Sequence, residues 1–276
     1  MRNDERRSGP AWLERLRART RITGPSPSSM PPASDKPDVE SLHVTTQQEL
    51  HTMGARYAYE RSLAKQQKSG VGMKGRAQLL DIPLLELPIA VIDLETTGFE
   101  PHADEIISFG AWHINGTQWV SDEAGAGAFY TVVNPGIPIP ALIEELTGIR
   151  NADAVSAVSV GEGLTRFSSF VDGRILIAHA SGHDKAFLRA ALWRYHKQSW
   201  KYRMLDTMLV ARWLYPQQRQ LDLDSLTNLL GIQNERRHHA LYDAQATGAL
   251  WIQFVEQAVA RRVTTLRELY MYLSQY

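Results

Sequence analysis

The chain of 276 residues contains no cysteine. That excludes a disulfide framework, a thiolate nucleophile, and any zinc or iron–sulfur site built on sulfur. A bound metal would have to rest on oxygen or imidazole donors, which suit Mg²⁺, Mn²⁺ or Ca²⁺, or a transition metal held by oxygen and histidine. Long apolar runs are also missing: no stretch approaches the roughly 20 residues that a spanning helix needs. The opening string MRNDERRSGPAW has no apolar core of the secretory-signal kind. The expectation is a soluble protein of a reducing compartment, the cytoplasm, with no membrane span. Neither sign of charge dominates, with thirty Lys and Arg against thirty Asp and Glu. This argues against coating nucleic acid over the whole surface, but allows a local groove for a strand.

The composition changes along the chain. Residues 1–37 carry eight basic residues, seven of them arginine, against four acidic ones, and end in the Pro/Ser-rich string GPSPSSMPPASDKP. Such a segment buries too little apolar surface to order itself, so it reads as a disordered or partner-binding arm and linker. Residues 38–83 read as a helical extension, with Leu42, Leu50, Met53, Tyr57 and Leu63 between charges and glycines from Gly70 onward. Residues 84–260 read as one mixed domain. IAVID is a continuous apolar run, as in a strand buried on both faces. EIISFGAWHI is a second strand, and Asn115-Gly116 marks a hairpin into TQWV. AFYTVV is a third strand. Helices follow near 140–147 and 161–172, a short strand at 174–179, then helices near 184–197, 206–215, 223–230 and 242–260. A C-terminal helix is expected within 261–276. Strands first, then strand and helices in alternation, predict an α/β fold with helices on the faces of a mixed sheet.

The chemistry-bearing residues fall at element ends. Asp93 and Glu95 close the first strand in VIDLETTG, and residues two apart on an extended chain point the same way. Two acids at the end of a buried strand are costly unless something positive meets them, and LETTG supplies no basic residue. A divalent cation fits; so do two solvated loop carboxylates. Asp184, in AHASGHDKAFL, reads alone as an acid favoured by a helix N-terminus. Asp243, in RRHHALYDAQA, also lies near a helix start, with His238 five positions before it.

Taken in order, Asp-x-Glu at a strand end, an Asp after Ala-His, and His-x4-Asp form one set. This set resembles the DEDD exonucleases, in the branch with histidine in the last motif, of which the proofreading subunit of bacterial DNA polymerase III is typical. The resemblance covers about residues 86–255. PIPALIEELTGIRNADA, LDTMLVARWLYP and LDLDSLTNLLGI look like the family's segments between motifs. It implies a ribonuclease H-like fold. It implies that Asp93, Glu95, Asp184 and Asp243 hold two ions, Mg²⁺ or Mn²⁺. It makes His238 the general base; His239, with one residue fewer before Asp243, fits less well. Thr96 and Thr97 correspond to positions that hold the terminal nucleotide, and Leu146, Thr147 and Gly148 to those that wedge or cradle its base and sugar. Two positions depart from the pattern: Ala180 stands where the family usually has Asn, and His183 where it has Phe.

The implied reaction is attack of water on a phosphodiester, releasing a 5′-mononucleotide from the 3′ end of DNA, as in proofreading or repair. Two hard cations, each beside one of the oxygens that gain charge, suit that reaction. An exoribonuclease of the ribonuclease T or oligoribonuclease type, and a non-catalytic nucleic-acid-binding module, are the alternatives. Single-stranded DNA or RNA 3′ ends are the expected partners. Residues 1–80, outside the family pattern, are the candidate contact for a polymerase or other replication protein.

Overall fold

The computed structural model describes residues 79–120 and 127–275. The expected arm and nearly all of the expected helical extension lie outside the described residues. A short 3₁₀ turn, Leu84–Glu86, leads into β1, Pro88–Thr96. Then come β2 (Ile106–Asn115), β3 (Gln118–Trp119), β4 (Ala128–Asn134), α1 (Ala141–Thr147), α2 (Asn151–Val155) and β5 (Val158–Ser159). The second half holds α3 (Val160–Phe170), β6 (Ile175–Ala178), α4 (Gly182–His196), β7 (Met204–Asp206) and α5 (Thr207–Leu214). It ends with α6 (Leu223–Leu229), α7 (Ala240–Ala260) and α8 (Leu266–Leu273).

The seven strands make one mixed sheet in the order β5-β4-β2-β1-β6-β7, with β3 on β2. β1, β2 and β4 are antiparallel neighbours, whereas β6 and β7 run parallel to β1. The hairpin signal acts as the sequence implies. Asn115 pairs with Gln118, and Gly116 takes φ +60 between them, a conformation glycine adopts without a Cβ penalty.

Strand alternation sorts the core. On β1, Ile89 and Val91 point to one face and join Ile175, Ile177, Trp251, Phe254 and Leu266. Ala90, Ile92 and Leu94 point to the other and join Phe109, Leu164, Phe167 and Leu188. So α5, α6, α7 and α8 cover the first face and α3 and α4 the second. This is the ribonuclease H-like arrangement expected, a mixed sheet flanked by helices. On α8, Leu266, Leu269 and Leu273 sit in the same core as β1. β7 and α2 were not anticipated. No helix among the described residues is long and apolar enough to cross a membrane.

Candidate functional site

The alternation that buries Ile89 and Val91 under α7 carries on to Asp93 and Glu95, which continue the same face past the end of the apolar run. α7 brings Asp243 to them in its first turn. That approach depends on a residue the motif search passed over. Gly110 lies opposite Asp93 in the β1–β2 register, and a Cβ there would stand 2.2 Å from the carbonyl carbon of Ala240. Only glycine lets the helix start touch the strand backbone. Trp112, two residues on, donates its indole N–H to the Leu241 carbonyl at 3.0 Å and pins the same turn. As a result, oxygens of Asp93, Glu95 and Asp243 lie within 4.8 Å of one another.

Asp184 completes the group from the opposite side. It occupies the first turn of α4, is only 5% exposed, and its charge is felt by both Asp93 and Glu95. Burial pushes the Asp93 carboxyl well up, and Asp184, Glu95 and Asp243 push it further. Glu95 is raised to about 8, first by burial and then by Asp243. Asp184 is raised to about 7 by burial, against the pull of backbone amides at Leu94 and its own position. Asp93, Glu95 and Asp184 are all pushed up because they are buried together with too little positive charge. Hard divalent ions would supply it, and oxygen donors at this spacing fit them.

One positive group is present, and the sequence reading missed it. Arg237 places Nη1 2.6 Å from Asp243 and also pairs with Asp224, on α6. Its charge favours ionisation of Asp93 and Glu95. Asp243 is further held by Asn234 Nδ2 at 2.5 Å and the His238 amide at 2.9 Å. Asp243 therefore organises the loop before its own helix. His238, at its end, sits at φ +59, a left-handed conformation that a non-glycine residue adopts only where its surroundings impose it. Its ring lines an open cleft of about 400 Å³ together with Asp93, Glu95, Asp243, His179 and Arg237. His239 turns away from that cleft, buried and stacked on Tyr130 with ring centres 4.4 Å apart.

The expected nucleotide-holding residues divide. Thr96 donates its hydroxyl to the Gly98 carbonyl at 2.6 Å and meets His183 Nε2 at 3.2 Å. The hydroxyl of Thr97 donates to Asp104 and accepts the Glu105 amide, closing the β1–β2 turn. That of Thr147 donates to the Ile143 carbonyl and accepts the Ile149 amide. Both hydroxyls are committed within the chain, that of Thr97 to a carboxylate and an amide and that of Thr147 to backbone alone, so neither is free to meet a nucleotide. Leu146 lies half-buried beside them at the end of α1. His183, in the place of the family's Phe, keeps an aromatic role against Phe99 and Phe187. Ala180 takes φ +54, a conformation that Asn tolerates better than Ala.

A sequence profile of the family described as "Exonuclease" matches residues 90–251, more than half of the chain. The "DNA polymerase III subunit epsilon-like protein" of Rhodobacter capsulatus is 35% identical over 198 residues, covering 71% of this chain. The "DNA polymerase III PolC-type" of Thermotoga maritima is 34% identical over 179 residues, covering 65%. The chain spans 27% and 13% of the length of those two relatives. Among solved structures, E. coli exonuclease I in complex with a dT13 oligonucleotide superposes with a TM-score of 0.54 at 17% identity, over 64% of this chain and 42% of that one. Exonuclease X in complex with 5′ overhanging duplex DNA gives 0.51 at 19%, over 62% and 93%. The fold is thus shared with exonucleases, and the extent of the profile match makes the chain a member of the exonuclease family.

Proposed function

We propose that the chain is a divalent-metal-dependent 3′–5′ exonuclease that trims single-stranded or frayed DNA ends to 5′-mononucleotides. The observation that carries this reading is the convergence of Asp93, Glu95 and Asp243 within 4.8 Å at the floor of a cleft walled by His238. Membership of the exonuclease family, the polymerase III names of the relatives and the DNA in the neighbouring structures support it.

Asp93, Glu95, Asp184 and Asp243 would hold two Mg²⁺ or Mn²⁺ ions. Those ions, when bound, stabilise charge on the attacking and leaving oxygens of an in-line displacement. The residues present do the rest. Burial and the neighbouring Arg237 guanidinium hold the His238 imidazole below its usual range, so it is neutral and able to take a proton near neutral pH. Its backbone is fixed by the hydrogen bond that its N–H donates to the Asp243 carboxylate, which holds the residue at the cleft wall. Thr96 backbone and the apolar surface of Leu146 flank the place for the terminal nucleotide. The chain has no cysteine to act as nucleophile, which is consistent with direct attack by water.

The test is a 5′-labelled single-stranded DNA oligonucleotide incubated with Mg²⁺ or Mn²⁺, with EDTA, and with His238→Ala, beside a matched RNA. A metal-dependent ladder that shortens from the 3′ end and is lost in the variant supports the reading. Faster loss of the RNA would move the substrate to RNA. No cleavage of either would make the domain a binding module.

A further inference from the structure

The loop between α6 and α7 carries two adjacent arginines with opposite surroundings. Arg237 turns inward and is committed to Asp243 and Asp224. Arg236 is exposed, and among the described residues its guanidinium has no carboxylate or hydrogen-bond partner. It is nonetheless placed. Its Nη2 lies 3.1 Å from where a Cβ on Gly148 would stand, at the left-handed residue that ends α1. Its charge is also felt by Tyr130 on β4 and by His239. The guanidinium therefore spans the rim between the His238 loop and the end of α1, beside Leu146 and Thr147.

A lone cation at this place contributes little to the fold, since among the described residues no acid pairs with it. It answers a different need. A cleft lined by the acids Asp93, Glu95, Asp222 and Asp243 offers a polyanion little positive charge, and Arg237 is already committed to Asp243 and Asp224. An approaching strand meets unpaired positive charge at Arg236 first. Guanidinium presents several N–H donors in a planar fork that matches two phosphate oxygens. Gly148 keeps that fork free of a side chain that would cover it. From this geometry we propose that Arg236 is a substrate-contact residue that grips a backbone phosphate of the strand upstream of the terminal nucleotide. The proposal deepens the exonuclease reading and rests on it for the identity of the anion. It also separates two jobs: the carboxylates act on the terminal phosphodiester, and Arg236 makes a strand a better ligand than a mononucleotide.

The test compares wild type with Arg236→Gln and Arg236→Lys. Binding of a fluorescein-labelled dT oligonucleotide is followed by anisotropy in Ca²⁺ over a range of salt. Hydrolysis is followed on the oligonucleotide and on the p-nitrophenyl ester of thymidine 5′-monophosphate, which has no upstream phosphate. The Gln variant is expected to bind the oligonucleotide about tenfold more weakly, the size of one charge-assisted contact. Its salt slope should fall by about 0.7, as for one lost phosphate contact on a single strand. The loss in oligonucleotide hydrolysis should lie in KM, with the ester far less affected, and Lys should recover most of the salt slope. Unchanged binding and slope in the Gln variant, with wild-type hydrolysis intact, overturns the phosphate contact and leaves the exonuclease reading standing. Equal losses on oligonucleotide and ester also overturn it. A wild type that binds the strand but cleaves neither substrate overturns the exonuclease reading, while the anisotropy series still decides Arg236.

Discussion

Two kinds of carboxylate occupy first turns of helices in this fold, and in the sequence they look alike. Glu268 in α8 and Asp222 before α6 cap their helices. Glu268 accepts from the amides of Thr264 and Thr265, and Asp222 from Ser225. Those donors hold both acids below the ordinary range. Asp184 in α4 and Asp243 in α7 also lie in the first turns of their helices. Asp184, however, is raised to about 7 and stands within reach of Asp93 and Glu95. The helix dipole favours all four equally. What separates them is burial and company: Glu268 and Asp222 lie open and are answered by N–H donors, whereas Asp184 is buried near Asp93 and Glu95, and Asp243 stands against the same two acids. An open acid answered by N–H groups is part of the scaffold. An acid buried among acids leaves a deficit of positive charge, and that deficit marks the site.

The largest expected effect comes from removing the central acid. Asp93→Asn should lower turnover by at least about 10³-fold, because several kcal/mol of charge stabilisation depends on the ions it would bind. The same change removes a buried carboxyl that repels Asp184, Glu95 and Asp243 whenever it ionises, so the metal-free variant should melt no lower than wild type at pH 8. Retention of metal-dependent hydrolysis would place the site elsewhere.

Gly110→Ala attacks the spacing instead of the charge. With backbone of Ala240 and Leu241 in the way, α7 must shift, and Asp243 with it. A displacement near 1 Å costs on the order of 10²-fold in rate. Steady-state kinetics beside a melting curve would separate this loss from global unfolding.

The metal-free protein should also respond to pH with a definite sign. The unfolded carboxylates lose their protons near pH 4, whereas Glu95 keeps its proton to about 8 and Asp184 to about 7 in the folded state. Across that window the native state binds more protons, so stability falls as pH rises. Thermal melts in EDTA should therefore drop between pH 5.5 and 8.5. Mn²⁺ should restore most of the loss in wild type and little of it in Glu95→Gln.

The smallest effect belongs to a cap. Thr265→Ala removes the side-chain acceptor for the Glu268 amide in the capping box of α8. It should cost about 1 kcal/mol of stability and leave hydrolysis unchanged, as a chemical-denaturation curve and a rate would show.

The same contrast explains what the sequence made visible. β1 was legible because the apolar, branched run IAVI leads into Asp93 and Glu95, and alternation alone fixes the face on which those acids lie. The long helices were legible from their periodicity. β7 was not: three residues, Met204–Asp206, are too few to show a period, and the strand exists because β6 offers it an edge. Asp93, Glu95 and Asp243 were found through motif order, and the structure brings their oxygens together. Arg237 was missed because neither Asp243, six residues on, nor Asp224, thirteen residues back, stands at a spacing that brings it to the arginine before the loop folds. The signal was present as a basic residue directly before the expected base, once the acid cluster's need for positive charge is considered. Gly110 was read as one more strand residue, although glycine within a strand points to close backbone approach.

The central claim is that divalent ions bind among Asp93, Glu95, Asp184 and Asp243 and displace protons held by the raised carboxyls of Asp93, Glu95 and Asp184. Calorimetric titration of the metal-free protein with Mn²⁺ at pH 7, repeated in buffers of different ionisation enthalpy, measures that exchange directly. The account predicts saturable binding with release of roughly one proton or more per chain, strongly reduced in Asp93→Asn. Binding without proton release, or the same binding in the variant, would contradict it.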